Sequence, residues 1–355
     1  MTESDRRNAE VTARHTIAAD FDEFRLFAAA RGWGDGLPLV PPTAAKVGLM
    51  LAGRDPASSL GAIPPGYGEA TLEVLAANAV MAGCEPAAFP IIVAAVEAML
   101  EPQFNLAGVQ ATTHPVAPLL VVHGPVAAEL GLNSGSGVLG PGFAPNATLG
   151  RAIRLILLNV GLARPGQGDL STHGGPAKFT YCMTENMAES PWPEYHTTVG
   201  FGERDSAVTV IGLEAPHNVE DHQSTTGVRL VNIVADAMRQ LGHNSWVISK
   251  GNDFVVLFGP EHAQMLGRDG WSREDVQRYL YNRACRPVSE VMESGNWAGR
   301  EWPVWMNALA ERPDALVPPV RRPEEIRVLV AGGPGKHSAV MPGFGSTAAV
   351  TKLVR

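Results

Sequence analysis

Two stretches decide the fold: PLLVVHGPVAAELG at residues 118–131 and DFVVLFGPEHAQMLG at residues 253–267. Each begins with a short apolar run that is too brief for a helix and rich in β-branched residues, which predicts a strand buried on both faces. Each then turns at Gly-Pro and continues as a short helix, since proline is pre-organised for the first helical position. The segments before them also match, AVEAML at 95–100 against VADAMR at 234–239. We read a helix, strand, short-helix unit that occurs twice, with further buried strands at 207–212 and 326–330. Helices at 21–31, 43–53, 70–82 and 89–100 alternate with these strands. The expected class is therefore α/β, with a mixed or parallel sheet and an internal duplication.

Composition narrows the partners. The 355 residues include 38 Gly and 28 Pro, only 18% are charged, and the net charge is −8. Gly and Pro at this density require many ordered turns and argue against a helical bundle or coiled coil. No basic run supports nucleic-acid binding, and the long uncharged stretches at 102–128 and 130–150 are too rich in Gly, Pro, Asn and Gln to be membrane spans. The opening MTESDRRNAEVTARH has no apolar core, so a cytoplasmic location is expected. Cys84, Cys182 and Cys285 lie far apart, which excludes a disulfide framework; Cys84 and Cys285 read as core residues. We divide the chain into a loose N-terminus (1–19), a first lobe (20–200) and a second lobe (201–355), interleaved as one unit with a pocket between them. Residues 270–325 hold Trp271, Trp297, Trp302 and Trp305 and read as a helical excursion or an oligomer contact.

Several clusters carry candidate chemistry. Gly135, Gly137 and Gly140 have the GxGxxG spacing, but a helix-like segment precedes them and no acid lies at 153–166, so neither NAD nor a nucleotide is expected. Gly135, Gly137 and Gly140, together with Asn146 as the cap of the following helix and Arg151 and Arg154 behind it, would hold an anionic group of the substrate. GGPGKHS near Gly332 is no phosphate loop, because Val330 stands where a glycine is needed. Pro-Gly-aromatic turns recur at 65–67, 141–143 and 342–344, each shortly followed by an Ala/Thr-rich stretch that reads as a helix start.

The segment DLSTHGGPAKFTYCMTENMAESPWPEYH, residues 169–196, concentrates His173, Lys178, Tyr181, Cys182, Glu185, Asn186 and His196. Strand or helix periodicity brings Lys178 to Cys182, which would populate the thiolate. Cys182 is thus a candidate nucleophile or acid tuned by Lys178 and Glu185, against the alternative of a structural core cysteine. His173 and Asn186 are candidate substrate contacts. PHNVEDHQ at 216–223 follows a strand, where α/β folds keep ligands. Its His217, Asp221 and His222 read either as ligands of a divalent metal, as a base (His217) oriented by Asp221, or as a hydrogen-bonded loop. His114 is a further imidazole near the substrate, and His123 reads as a satisfied core histidine.

RGWGDGLPLVPPT, AANAVMAGCEP, GVQATTHPVAPLLVV, NATLGRAIRL, KFTYCMTENMAESPW, PHNVEDHQSTT and AGGPGKHSAVMPGFG together resemble the UGSC-associated family of bacterial proteins, across residues 27–350. That group is named for a selenocysteine or cysteine followed by Gly-Ser-Cys, which this chain lacks. The resemblance implies a metabolic enzyme or subunit, working beside a UGSC-type partner if redox chemistry is involved. Three functions follow as expectations. The first is a lyase or hydrolase cleaving a carbon–heteroatom bond of a small, polar, anionic molecule. The second is a metal-dependent enzyme, and the third a non-catalytic substrate-binding subunit in a homo- or hetero-oligomer.

Overall fold

The structure is a computed structural model that describes residues 13–17, 20–246, 253–293 and 311–355. Most of the loose N-terminus assigned above, and Trp297, Trp302 and Trp305, lie outside the described residues. The chain opens with α1 (Phe21–Ala30) and α2 (Ala44–Leu51), the hairpin β1 (Ser59–Ile63) and β2 (Gly68–Thr71), then α3 (Leu72–Ala82), α4 (Phe89–Leu100) and α5 (Leu106–Ala111). Next come β3 (Ala117–His123), α6 (Pro125–Glu129), α7 (Ala144–Asn159), β4 (Cys182–Thr184), α8 (Tyr195–Thr198), β5 (Ala207–Leu213), β6 (His217–Glu220) and α9 (Gly227–Ala237). β7 (Phe254–Phe258), α10 (Pro260–Arg268), α11 (Arg273–Arg283), β8 (Arg286–Pro287) and α12 (Val288–Glu293) follow. The chain closes with β9 (Leu316–Val317), β10 (Ile326–Val330), β11 (His337–Met341) and β12 (Val350–Leu353).

Local signals explain the helix ends. Asp20, Thr43 and Thr71 cap α1, α2 and α3 by accepting from the backbone N–H three residues on, and Ser272 forms a capping box with Asp275 on α11. α3 begins at Leu72 rather than at residue 70, because Gly68–Thr71 is drawn into antiparallel pairing with β1. The three Pro-Gly-aromatic turns behave differently. Phe143 stands directly before α7, Tyr67 leads into β2, and Phe344 leads to β12 with no helix between.

Two four-stranded mixed sheets organise the molecule, in the orders β12-β5-β3-β4 and β10-β7-β11-β6. In both, the Gly-Pro strand (β3 or β7) has a parallel neighbour on one side (β4 or β10). On the other side both have an antiparallel neighbour (β5 or β11), which in turn pairs antiparallel with an edge strand. The edge strands are exchanged. β6, which follows β5 in the chain, pairs with β11, while β12, which follows β11, pairs with β5. Residue 200 is therefore not a sheet boundary, since β5 and β12 complete the sheet that β3 and β4 begin.

Side-chain alternation builds four layers. Leu119, Val121, Ile211 and Leu213 of the first sheet pack against Val255, Leu257, Leu329 and Met341 of the second, giving a layer between the sheets. Leu120, Val122, Val208 and Val210 face α3, α4 and α7, and Phe254, Val256, Val328 and Val340 face α9 and α11. Each of these side chains is buried, contributing about 1.5–3 kcal/mol.

Gly124 terminates β3 with a φ of 76°, and a Cβ there would stand 2.1 Å from the Asp205 carbonyl oxygen. Gly124→Ala is expected to destabilise the protein by at least about 2 kcal/mol, from backbone strain and the clash together. Chemical denaturation checks this, and an unchanged midpoint would contradict the geometry.

Candidate metal centre

The site is built where β3 and β4 end side by side. Their parallel register pairs Val122 with Thr184, so the next residues, His123 and Glu185, emerge next to each other. Both fall on the alternation that faces the second sheet, and both are buried. The chain after β4 then folds back through α8, whose start brings Glu194 and His196 to the same place. Two hydrogen bonds fix that return: the Gly124 N–H donates to Glu194 Oε1 (2.9 Å) and the Tyr195 N–H donates to Glu185 Oε2 (2.7 Å).

The result is a close group of imidazoles and carboxylates. His123 Nδ1 lies 3.4 Å from Glu185 Oε2 and 3.7 Å from Glu194 Oε1, and His196 Nδ1 lies 3.6 Å from Glu194 Oε2. The two rings stack with centroids 5.3 Å apart. Their other nitrogens are occupied. His196 Nε2 meets the Gly202 carbonyl at 3.0 Å, and because a carbonyl only accepts, Nε2 carries a hydrogen. His123 Nε2 meets Thr209 Oγ1 at 2.9 Å, and Thr209 Oγ1 meets Thr351 Oγ1 at 2.9 Å. Both Nδ1 atoms are buried and have no hydrogen-bond partner. A neutral ring on His196 thus turns a lone pair toward an ionised carboxylate, which is unfavourable unless a proton or a metal cation stands between them.

The electrostatics agree. Burial by itself depresses the basicity of His123, but the Glu185 and Glu194 carboxylates outweigh it and hold the imidazole above its ordinary value. For Glu194 burial acts upward, while His123 and the Gly124 N–H win and hold it below the usual carboxylate range. Among the described residues, His123, Glu194 and His196 form a group whose ligand atoms all lie within 4.8 Å of one another. Ligand atoms around a tetrahedral zinc at about 2.0–2.1 Å stand roughly 3.3 Å apart, so a small contraction suffices to bind. The committed Nε2 atoms supply the outer hydrogen bonds that orient metal-bound histidines. Arg273 completes the surround. It is 3% exposed, donating from Nη2 to the Pro193 carbonyl (2.8 Å) and lying 3.5 Å from Glu185 Oε1.

The candidate residues singled out in the sequence are distributed elsewhere, with Glu185 and His196 as the exceptions. Cys182 points into the core toward the helices, beside Cys84, and burial pushes its thiol well above the ordinary value. It does not meet Lys178, which reaches Asp169 Oδ2 at 2.7 Å; Arg154 shares that oxygen at 2.7 Å, and Ser171 caps Oδ1. Glu185, three residues after Cys182, leaves from the opposite face of the strand. His217 and His222 are exposed, His222 lying 3.6 Å from Glu220, while Asp221 Oδ1 accepts from the Gln223 and Ser224 N–H groups. These three form no ligand set. Nor does Asp221 orient His217: its Oδ1 is taken by the Gln223 and Ser224 N–H groups and its buried Oδ2 has no hydrogen-bond partner.

His114 pairs with Glu214 at 2.8 Å and stacks on Phe344, far along β3 from His123. His173 is exposed, and Asn186 donates to the Gly332 carbonyl. Gly135, Gly137 and Gly140 form a tight turn in which the Gly140 N–H donates to Gly137 O (2.7 Å). Asn146 is not the cap of α7 but its third residue, exchanging two hydrogen bonds with the Asn133 backbone. Arg151 is bound to Asp35 and Arg154 to Asp169, so neither backs an anion site at this helix start. An open groove of about 460 Å³ lies elsewhere, lined by Ser224, Glu261, Arg268 and Lys336 among others. Its two cations already donate to the Thr225 and His222 carbonyls.

Sequence reasoning missed Glu194 and took His123 for a satisfied core residue. No spacing could have joined them, because His123 meets Glu194 only through the β3–β4 pairing and the return of the chain at α8. No protein-family model, curated protein or solved structure matches the chain.

Asp169 supplies a pH test of its own cluster with Lys178 and Arg154. Burial alone would raise its carboxyl, but Lys178 and Ser171 overcome that and hold it down at about 2, against an ordinary 3.8. A carboxyl depressed on folding stabilises fully above about pH 4 and loses that contribution, about 2 kcal/mol, as pH falls through 2. Asp169→Asn also strands Lys178 and Arg154, so we expect a loss of about 3 kcal/mol at pH 7 that narrows toward pH 2. Urea denaturation across that range checks both the size and the sign.

Proposed function

We propose that the protein is a divalent-metal-dependent enzyme that cleaves a carbon–heteroatom bond of a small polar molecule, by hydrolysis or elimination. His123, Glu194 and His196 would hold the metal. The observation that carries this reading is the pair of buried Nδ1 atoms without partners, turned toward ionised carboxylates while both Nε2 atoms are committed. This ligand set differs from His217, Asp221 and His222, the metal candidates that the sequence suggests.

Two imidazoles and one carboxylate suit zinc, iron or manganese, and three protein ligands leave a coordination position for substrate. A metal bound there would act as a Lewis acid on a carbonyl or similar oxygen. The remaining groups belong to the chain. Glu185 stands beside His123 and is placed to accept a proton from the reacting group, held in position by the Tyr195 N–H and Arg273. Thr209 and Thr351 fix the ring of His123 from behind. Glu194, whose side chain is 16% exposed against 0% for both histidines, marks the side from which solvent and substrate arrive.

Metal content tests the proposal. Protein expressed without a polyhistidine tag should contain about one equivalent of a transition metal by mass spectrometry. His196→Ala and Glu194→Gln should each lower occupancy at least tenfold and remove the rise in melting temperature on adding zinc or manganese. Absence of bound metal together with no thermal response to any divalent ion would overturn the reading.

A further inference from the structure

Arg273 is the first residue of α11, a helix that packs on the second sheet, yet its guanidinium lies against the site built by the first. Its Nη2 is used, but Nε and Nη1 are buried and have no hydrogen-bond partner. Guanidinium donors are costly to leave unsatisfied away from water, and each such group calls for a partner. Other cations inside the fold are already matched, whether beside the site or away from it. Arg327, near the Tyr195 ring, is bound to Asp253, and Arg154 and Lys178 share Asp169.

Charge counting gives the partner its sign. A divalent metal held by neutral His123 and His196 is balanced by the Glu185 and Glu194 carboxylates. Arg273 then remains as one uncompensated buried positive charge, a single carboxylate away from the ion. A buried charge without a counter-charge is strongly unfavourable, so the loaded site favours a ligand that brings a negative one.

From these observations we propose that the metal centre takes an anionic substrate, bound through a carboxylate or phosphate-type oxyanion that lies between the metal and Arg273. This rests on the metal reading above and adds the substrate class. The Arg273 donors replace the hydration of the oxyanion, and Trp192, whose ring the guanidinium overlies at 6.0 Å, forms an apolar wall beside it. Neither the Gly-rich turn at 135–140 nor the start of α7 is needed to hold the anion.

The experiment is calorimetric titration of zinc-loaded protein with inorganic phosphate and with oxalate, alongside the metal-free protein. Binding should require zinc, and Arg273→Gln should weaken it at least tenfold while zinc stoichiometry stays near one. Arg273→Lys should fall between the two. The preferred anion separates a phosphate-bearing substrate from a carboxylate-bearing one. Because Arg273→Gln leaves Glu185 without its cation, Glu185→Gln/Arg273→Gln serves as a charge-balanced second variant and should show the same loss. If zinc binds and neither anion does, or anion binding is unchanged in Arg273→Gln and Arg273→Lys, the substrate assignment is wrong and the metal reading stands. If zinc does not bind the wild-type protein, both fall.

Discussion

Everything in this molecule depends on the apolar layer between its two sheets, and the exchanged edge strands are what hold the sheets across it. Because β6 leaves the first sheet for β11 and β12 leaves the second for β5, each sheet is complete only when the other is in place. The layer itself is short, running from Leu119 and Ile211 on one side to Val255 and Leu329 on the other. At one end it gives way to polar side chains that the same alternation delivers inward, His123, Glu185 and Thr209. The site is thus the continuation of the core by other residue types, on strands whose geometry the apolar packing has already fixed.

That origin explains both the strength and the oddity of the site. Buried carboxylates and imidazoles would be destabilising as isolated groups, and here they constrain one another through backbone N–H donors, a carbonyl and a chain of two hydroxyls. What remains unmatched is specific in position: the two buried Nδ1 atoms of His123 and His196 facing inward, and two donor nitrogens of Arg273 close by. A metal ion and an oxyanion are the partners that we propose for the two.

The fold was largely legible because its signals are local. The cap at Thr43, the apolar runs of β3 and β7 and their Gly-Pro exits are written in contiguous residues. The site was legible only in part. The density of polar types in 169–196 pointed to the segment that supplies Glu185, Glu194 and His196 to the buried cluster. It favoured Cys182 because its side-chain chemistry is conspicuous, whereas direction on a three-residue strand decides the matter: Cys182 faces the helices and Glu185 the other sheet. His123 looked like a core histidine, and by burial it is one; what distinguishes it is the unpartnered nitrogen, which only the pairing of β3 with β4 reveals. The His217–His222 cluster reads differently in three dimensions for the converse reason, since His217 on the edge strand and His222 beyond its end are exposed while Asp221 between them is buried.

Thr351, on the last strand, stands behind Thr209 and so behind His123. During synthesis on the ribosome, His123, Glu194 and His196 emerge long before this strand does. A nascent chain can therefore display these side chains without the backing that orients His123, until β12 closes the sheet. Maturation of the site is in this sense a terminal event, set by the order in which the strands are made.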